Sequence, residues 1–384
     1  MPLALAATRV FTGDRMLHDH AVVIDGGRIV SVLPTSRIGA GIPERRCDGL
    51  LAPGFVDVQV NGGGGVLFND EPSVGAIRRI GEAHRRFGTT GFLPTVITDR
   101  RGVMAAAIEA ADAAIAQGVP GALGIHLEGP FLGTARKGVH DAALIRPPDE
   151  EDVARILARR GGRTLVTLAP ETVPDEVIAR LVQGGAIVSL GHTAADCGRV
   201  REALRSGASG FTHLYNAMPP LSGRSPGPVG AALDDPRSWC GVIADLHHVD
   251  AVALRVAVAA KPPGKVMLVT DAMPTVGTAM TGFTLQGREV LRDAGRLATA
   301  DGTLAGSDLD MATAVRNCVD RLDLPLAEAL RMASLYPAAF LGLDREVGRV
   351  ASGYRADLVL LDDRIGVLGT WIAGVPDAGT AAAA

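Results

Sequence analysis

Several function classes are excluded by what this chain lacks. Its 38 Lys and Arg stand against 42 Asp and Glu, a formal net charge of −4, which leaves no cationic excess to grip a nucleic-acid backbone. No long run of like charge marks an interaction tail. Only four cysteines occur, Cys47, Cys197, Cys240 and Cys318, scattered and without a CxxC pair. They read as free buried thiols in a reducing cytosol. No uninterrupted apolar stretch reaches the roughly 18 residues that crossing a bilayer requires. The first fifteen residues lack the charged, apolar and small-residue segments of a secretory leader. No internal repeat is found. A cytoplasmic protein with no membrane or nucleic-acid partner is the expectation.

What is present is an ample core: 47% of the 384 residues are hydrophobic. Length alone suggests two domains, although an α/β barrel of about 250 residues often stands as one. The first ~50 residues read as short strands and turns, with Ala21-Val22-Val23-Ile24 running through Asp25-Gly26-Gly27 into Arg28-Ile29-Val30-Ser31-Val32 as a hairpin. The far end is alike, from Gly348-Arg349-Val350 to Ala356-Asp357-Leu358-Val359-Leu360-Leu361. One small β-sandwich domain assembled from both termini, residues 1–53 plus 337–384, is therefore expected. Residues 381–384 and the Gly-rich residues before them should be disordered.

Between the termini, apolar runs alternate with Ala/Arg/Glu-rich helical stretches, the pattern of βα units. Strands are expected to end near Gln59, Thr95, Glu128, Pro170, His192, His213, His248 and Asp271. Helices are expected over residues 73–87, 104–117, 151–160, 174–183 and 195–206. Eight strands close a (β/α)8 TIM-like barrel, expected over residues 54–336. A hairpin-like stretch over residues 282–297 and a helix over 309–322 should follow the eighth strand.

Such barrels build their sites from the C-terminal ends of several strands. Gly124-Ile125-His126-Leu127-Glu128-Gly129-Pro130 is an apolar strand ending in a carboxylate and a sharp turn. Val188-Ser189-Leu190-Gly191-His192-Thr193 and Gly210-Phe211-Thr212-His213-Leu214 each place an imidazole in the same position. A Glu with two His forms a metal set that leaves a coordination position open. Asp271, closing Val266-Met267-Leu268-Val269-Thr270-Asp271, can act as a base toward a water that the ion activates. Read alone, Glu128 could be a solvated loop residue and Asp271 a helix cap. Their concurrence on one face favours chemistry.

Longer motifs add a resemblance. Asp57-Val58-Gln59-Val60-Asn61-Gly62, His126-Leu127-Glu128-Gly129-Pro130-Phe131, Leu190-Gly191-His192-Thr193 and His213-Leu214-Tyr215-Asn216-Ala217-Met218 run in collinear order. Ile243-Ala244-Asp245 with His248-Val249-Asp250, Leu268-Val269-Thr270-Asp271-Ala272 and Leu304-Ala305-Gly306-Ser307 follow. From about residue 20 to residue 375 the chain resembles the N-acetylglucosamine-6-phosphate deacetylases, a branch of the amidohydrolase superfamily.

The resemblance implies hydrolysis of the 2-acetamido group of a hexosamine 6-phosphate, a step of amino-sugar catabolism and cell-wall sugar recycling. Carried over by position, Glu128, His192 and His213 would hold one divalent metal, zinc first, with iron, manganese or cobalt as alternatives. Asp271 would be the general base and acid. His140 would polarise the acetamide carbonyl, with Val139 beside it at the substrate. Asn216 and Ala217 would contact the phosphate, as would Arg224 and His248, at least one of these last two from the partner subunit of a homodimer. Leu304, Ala305 and Gly306 would line the sugar.

Gln59 and Asn61 stand where many amidohydrolases carry His-x-His for a second metal, and amides are poor zinc ligands. A single-metal site is therefore expected, with Gln59 and Asn61 near the metal but not bound to it. His18 and His20 fall in the small domain, and His84 and His247 read as packing or surface residues. The alternatives are the galactosamine epimer as substrate, another mononuclear amidohydrolase, and a barrel that has lost catalysis and only binds.

Overall fold

Apolar runs buried on both faces become parallel strands, because helices can then cover the sheet outside while side chains fill it inside. The computed structural model describes residues 1–159 and 161–378. It places eight such strands side by side in chain order: Phe55–Val60, Thr89–Ile97, Gly124–Glu128, Arg163–Leu168, Ile187–Leu190, Gly210–Phe211, Trp239–Val242 and Val266–Leu268. Every neighbouring pair is parallel. Val60 bridges Ala272, also in parallel, and the Asn61 and Gly62 N–H groups both donate to the Ala272 carbonyl at 2.9 Å. That seam closes the expected barrel.

Helices follow the strands. In Val74–Arg85 the Ser73 hydroxyl accepts from the Ala76 N–H at the N-terminus, and Ala76, Ile77, Ile80, Ala83 and His84 form the buried stripe. Arg101–Ala116, Asp175–Gln183 and Cys197–Arg205 lie within a few residues of expectation. The helix expected over 151–160 spans Glu150–Leu157, and Arg160 lies outside the described residues, as does the 381–384 stretch. The seventh strand corrects the sequence reading: it ends at Val242, not near His248. Ile243 and Ala244 are still apolar and buried, but the Asp245 carboxylate accepts the N–H groups of His247 and His248 at 2.9 Å each and turns the chain.

Beyond the barrel, Gly282–Leu285, Arg288–Asp293 and Arg296–Thr299 form an antiparallel three-stranded sheet, and Met311–Leu322 is the expected helix. Both chain ends share one seven-stranded sheet, in which Leu358–Leu361 pairs antiparallel with Glu44–Pro53 and Leu3–Phe11 lies parallel on its other side. Ile29 on one edge strand and Trp371 near the other edge belong to a single buried cluster, so the sheet folds over on itself as a sandwich. The expected return to this domain at residue 337 falls inside Leu335–Phe340, a helix whose Tyr336, Ala338 and Phe340 are buried in the barrel core. Among the described residues no helix is long and apolar enough to cross a membrane.

Candidate active site

Glu128, His192, His213 and Asp271 each lie at or just beyond the C-terminal end of a barrel strand. Three of them, His192, His213 and Asp271, adopt positive φ values of 48°, 33° and 54°. Left-handed backbone at non-glycine residues is costly, and its concentration here marks a site whose side-chain aim is set by the surrounding structure. With Asn61, His140, Asn216, Ala217, His248, Leu304 and Gly306 they line one cavity of about 270 Å³.

Donor atoms converge at its floor. Glu128 Oε1 lies 3.2 Å from His192 Nε2 and 3.0 Å from His213 Nε2, and the two imidazole nitrogens are 3.1 Å apart. Ligands about 2.0–2.1 Å from a tetrahedral ion are separated by roughly 3.3 Å, close to these spacings. His192 Nδ1 faces the Arg136 carbonyl at 3.0 Å. A carbonyl only accepts, so Nδ1 carries the proton and a bare Nε2 lone pair points at a carboxylate oxygen. Two acceptors aimed at each other need a cation between them, and the set therefore fits a divalent metal. Glu128, His140 and His192 can also bring ligand atoms within 4.8 Å of one another. His213 Nε2, 3.0 Å from Glu128 Oε1 and 3.1 Å from His192 Nε2, stands at the same point as a third donor.

Gln59 and Asn61 bind the carboxylates instead of offering ligands. Gln59 Nε2 donates to both Glu128 oxygens at 3.2 Å and to Asp271 Oδ1 at 3.1 Å, while Asn61 Nδ2 donates to Asp271 Oδ1 at 2.7 Å. Burial, then the Glu128 charge, push the Asp271 carboxyl up to about 6. A carboxylate tuned there is a competent base near neutrality. Burial also pushes Glu128 upward, but the His192 and His213 rings beside it outweigh burial and hold the carboxyl well below its usual range. His213 shows the reverse balance, with burial outweighed by Glu128 and the imidazole raised. Burial, then His192, hold His140 well below an ordinary imidazole, so it is neutral.

Other expected residues are arranged around this centre. Val139 and His140 form one wall, and the His140 and His192 rings meet edge to face at 4.4 Å. His248 Nδ1 sits 2.6 Å from Asp245 Oδ2, both side chains buried. Leu304 and Gly306 line the cavity, whereas Ala305 is fully buried in the adjoining apolar cluster and its N–H donates to Leu297. Arg224 stands apart on an exposed loop and does not line the cavity within one chain. His84 is wholly buried and His247 exposed.

Three supporting residues were given no role from the sequence. Asp57 is buried beneath the site, its carboxylate accepting from the Thr270 hydroxyl at 2.5 Å. Asp245 stands behind His248, and Thr98 behind His140. Asp57 and Thr98 meet partners 213 and 42 residues away, whereas Asp245 meets His248 three residues on.

An amidohydrolase family model matches residues 50–379, and a model described as NagA composite domain matches residues 3–51. A Shewanella sp. (strain ANA-3) protein named N-acetylgalactosamine-6-phosphate deacetylase is 47% identical, the match covering 95% of this chain and 93% of that one. A Haemophilus influenzae protein named N-acetylglucosamine-6-phosphate deacetylase is 35% identical over 97% of this chain and 99% of its own. The crystal structure of N-acetylglucosamine-6-phosphate deacetylase from Pasteurella multocida superposes with a TM-score of 0.94 at 35% identity, covering 98% and 100% of the two chains.

Proposed function

This chain belongs to the amidohydrolase family, and we propose that it hydrolyses the acetamido group of N-acetyl-D-glucosamine 6-phosphate to D-glucosamine 6-phosphate and acetate. The observation that carries the reading is the convergence of Glu128, His192 and His213 at 3.0–3.2 Å beside a buried, raised Asp271. Those three residues hold one divalent ion, zinc being the best match to the donor set. A bound ion supplies a Lewis acid and lowers the pKa of the attacking water.

The Gln59 and Asn61 amides both donate to Asp271 Oδ1, and Oδ2 takes the proton of that water. Asp271 then returns the proton to the departing nitrogen, without which an amine is a poor leaving group. His140 donates to the acetamide oxygen as negative charge develops there. Val139, Leu304 and Gly306 shape the sugar end, with Ala305 packed behind them, and Asn216, Ala217 and His248 receive the phosphate. Binding energy gained at the phosphate orients the acetamide far from it.

Arg224 completes the phosphate site from a second copy of the chain. The helix Ala251–Ala260 supports such a dimer: only Leu254 and Ala257 are buried, while Val252 and Val256 are 59% and 51% exposed, as is Leu221 at 51% in the Arg224 loop. Four unpaired thiols fit a cytoplasmic location. The small domain comprises residues 1–53 with the C-terminal strands, and the barrel follows from residue 54.

A second reading, the galactosamine epimer as preferred substrate, is favoured by the name of the Shewanella relative. Acetate release from both phosphorylated epimers and from unphosphorylated N-acetylglucosamine, run side by side, tests the proposal. It requires kcat/KM to be highest for the glucosamine phosphate and low without phosphate. A higher value for the galactosamine phosphate would hand the assignment to the second reading.

A further inference from the structure

We infer that Gln286 is a positioning residue for the hydrolysis: its side-chain amide clamps the loop that carries His140 to the end of the second barrel strand. The inference rests on the role given to His140 above. That loop runs from Glu128 to the helix beginning at Glu150, and the one regular element within it is the short helical turn Thr134–Arg136. Among the described residues, two hydrogen bonds tie residues 137–142 to anything outside the loop. One joins the His140 ring to the Thr98 hydroxyl, and in the other the Asp141 N–H donates to Gln286 Oε1 at 2.9 Å.

The amide of Gln286 fits its two partners in one orientation only. A carbonyl accepts and a backbone N–H donates, so Nε2 donates to the Thr98 carbonyl at 2.5 Å while Oε1 takes the Asp141 N–H. Thr98 follows the second barrel strand, Thr89–Ile97, and Asp141 follows His140. One side chain thus joins the barrel rim to the His140 loop. Apolar packing runs alongside it: Ile97, Val139 and Leu285, the residues before Thr98, His140 and Gln286, belong to one buried cluster.

The turn that presents Gln286 is poorly suited to glutamine. Leu285 pairs with Arg288, so Gln286 and Gly287 form a two-residue hairpin loop, with φ values of 48° and 79°. Two successive left-handed residues favour Asn-Gly or Gly-Gly, and Gln carries a steric cost there that Asn and Gly largely escape. Asn would relax the turn, but its side chain is one methylene shorter and would not span both partners. The residue that strains the turn is the one whose amide reaches.

The experiment uses Gln286→Asn, which is too short, and Gln286→Gly, which has no amide; both residues suit the turn. Steady-state acetate release is measured with metal content and the urea midpoint, and hydrogen exchange is followed over residues 138–142. Metal and midpoint are expected to stay near wild type, because the relaxed turn offsets the lost hydrogen bonds. In both variants kcat should fall roughly tenfold as His140 loses its place, while KM changes less than about threefold because the phosphate is held elsewhere. The Asp141 amide should exchange roughly tenfold faster. Wild-type kcat in Gln286→Gly, unchanged exchange over residues 138–142, or a kcat loss that follows lost metal or lost fold would each overturn the inference. Failure of the wild type to release acetate would count against the assigned reaction instead, and the exchange would still decide whether Gln286 holds the loop.

Discussion

Acid should destabilise this protein in part through one imidazole outside the metal set, His84. Its ring is wholly buried, Nε2–H donates to the Gly62 carbonyl at 2.9 Å, and Nδ1 has no partner among the described residues. Gly62 in turn donates to Ala272 at the seam that closes the barrel. Burial, opposed only by the Gly62 hydrogen bond, lowers the imidazole from 6.5 to about 4. Between those values the unfolded chain binds the proton and the folded chain does not, so stability falls as pH falls from 6.5 toward 4. The difference amounts to about 2 kcal/mol at pH 5 and approaches about 3.4 kcal/mol in stronger acid.

Asp57 acts in the opposite sense. Burial raises its carboxyl to about 7, so the folded state gains stability as pH falls below that value. The wild-type pH profile alone therefore does not isolate His84. His84→Gln removes the titration while keeping an amide donor. Urea unfolding of both proteins at pH 7.5 and pH 5 gives a double difference in which Asp57 cancels. The wild type should lose about 2 kcal/mol more than the variant on acidification. Equal losses would refute the claim that His84 is buried and neutral.

Three further outcomes are expected. Asp271→Asn should retain its metal, by elemental analysis, and lose roughly 10³-fold in kcat, because the amide can neither take nor return the proton. Arg224→Ala should raise KM for the phosphorylated sugar roughly tenfold or more while kcat holds, since a charge-assisted contact to phosphate is lost; an unchanged KM would remove Arg224 from the site. Gly124→Ala should destabilise the protein by about 3 kcal/mol or more, because its Cβ would stand 1.9 Å from the Arg163 carbonyl oxygen on the neighbouring strand, read as a lowered urea midpoint.

The barrel and the residues at its strand ends were legible because the signal is local: a short apolar run ending in Glu128, His192, His213 or Asp271 is one strand and the residue it delivers. His140, Asn216 and Arg224 sit in loops, where no periodicity speaks, and only resemblance reached them. Thr98 escaped because its partner His140 lies 42 residues away, and Gln286 because its bond to Thr98 spans 188. The end of the seventh strand was misplaced because composition stays apolar through Ala244, and a side-chain turn at Asp245 ends it instead. Helix Ala251–Ala260 was not among the helices named from sequence, since its exposed face carries valines and alanines where a solvated helix would carry charge.

The central claim is that one ion, held by Glu128, His192 and His213, is required for deacetylation. Its most direct test is metal titration of chelator-stripped protein while acetate release from N-acetylglucosamine 6-phosphate is followed. Activity should be absent at the start and return linearly to a break at one zinc per chain. His213→Ala should neither bind nor recover, and His140→Ala should bind fully without recovering. Undiminished acetate release from metal-free protein, or full metal binding by His213→Ala, would contradict the account.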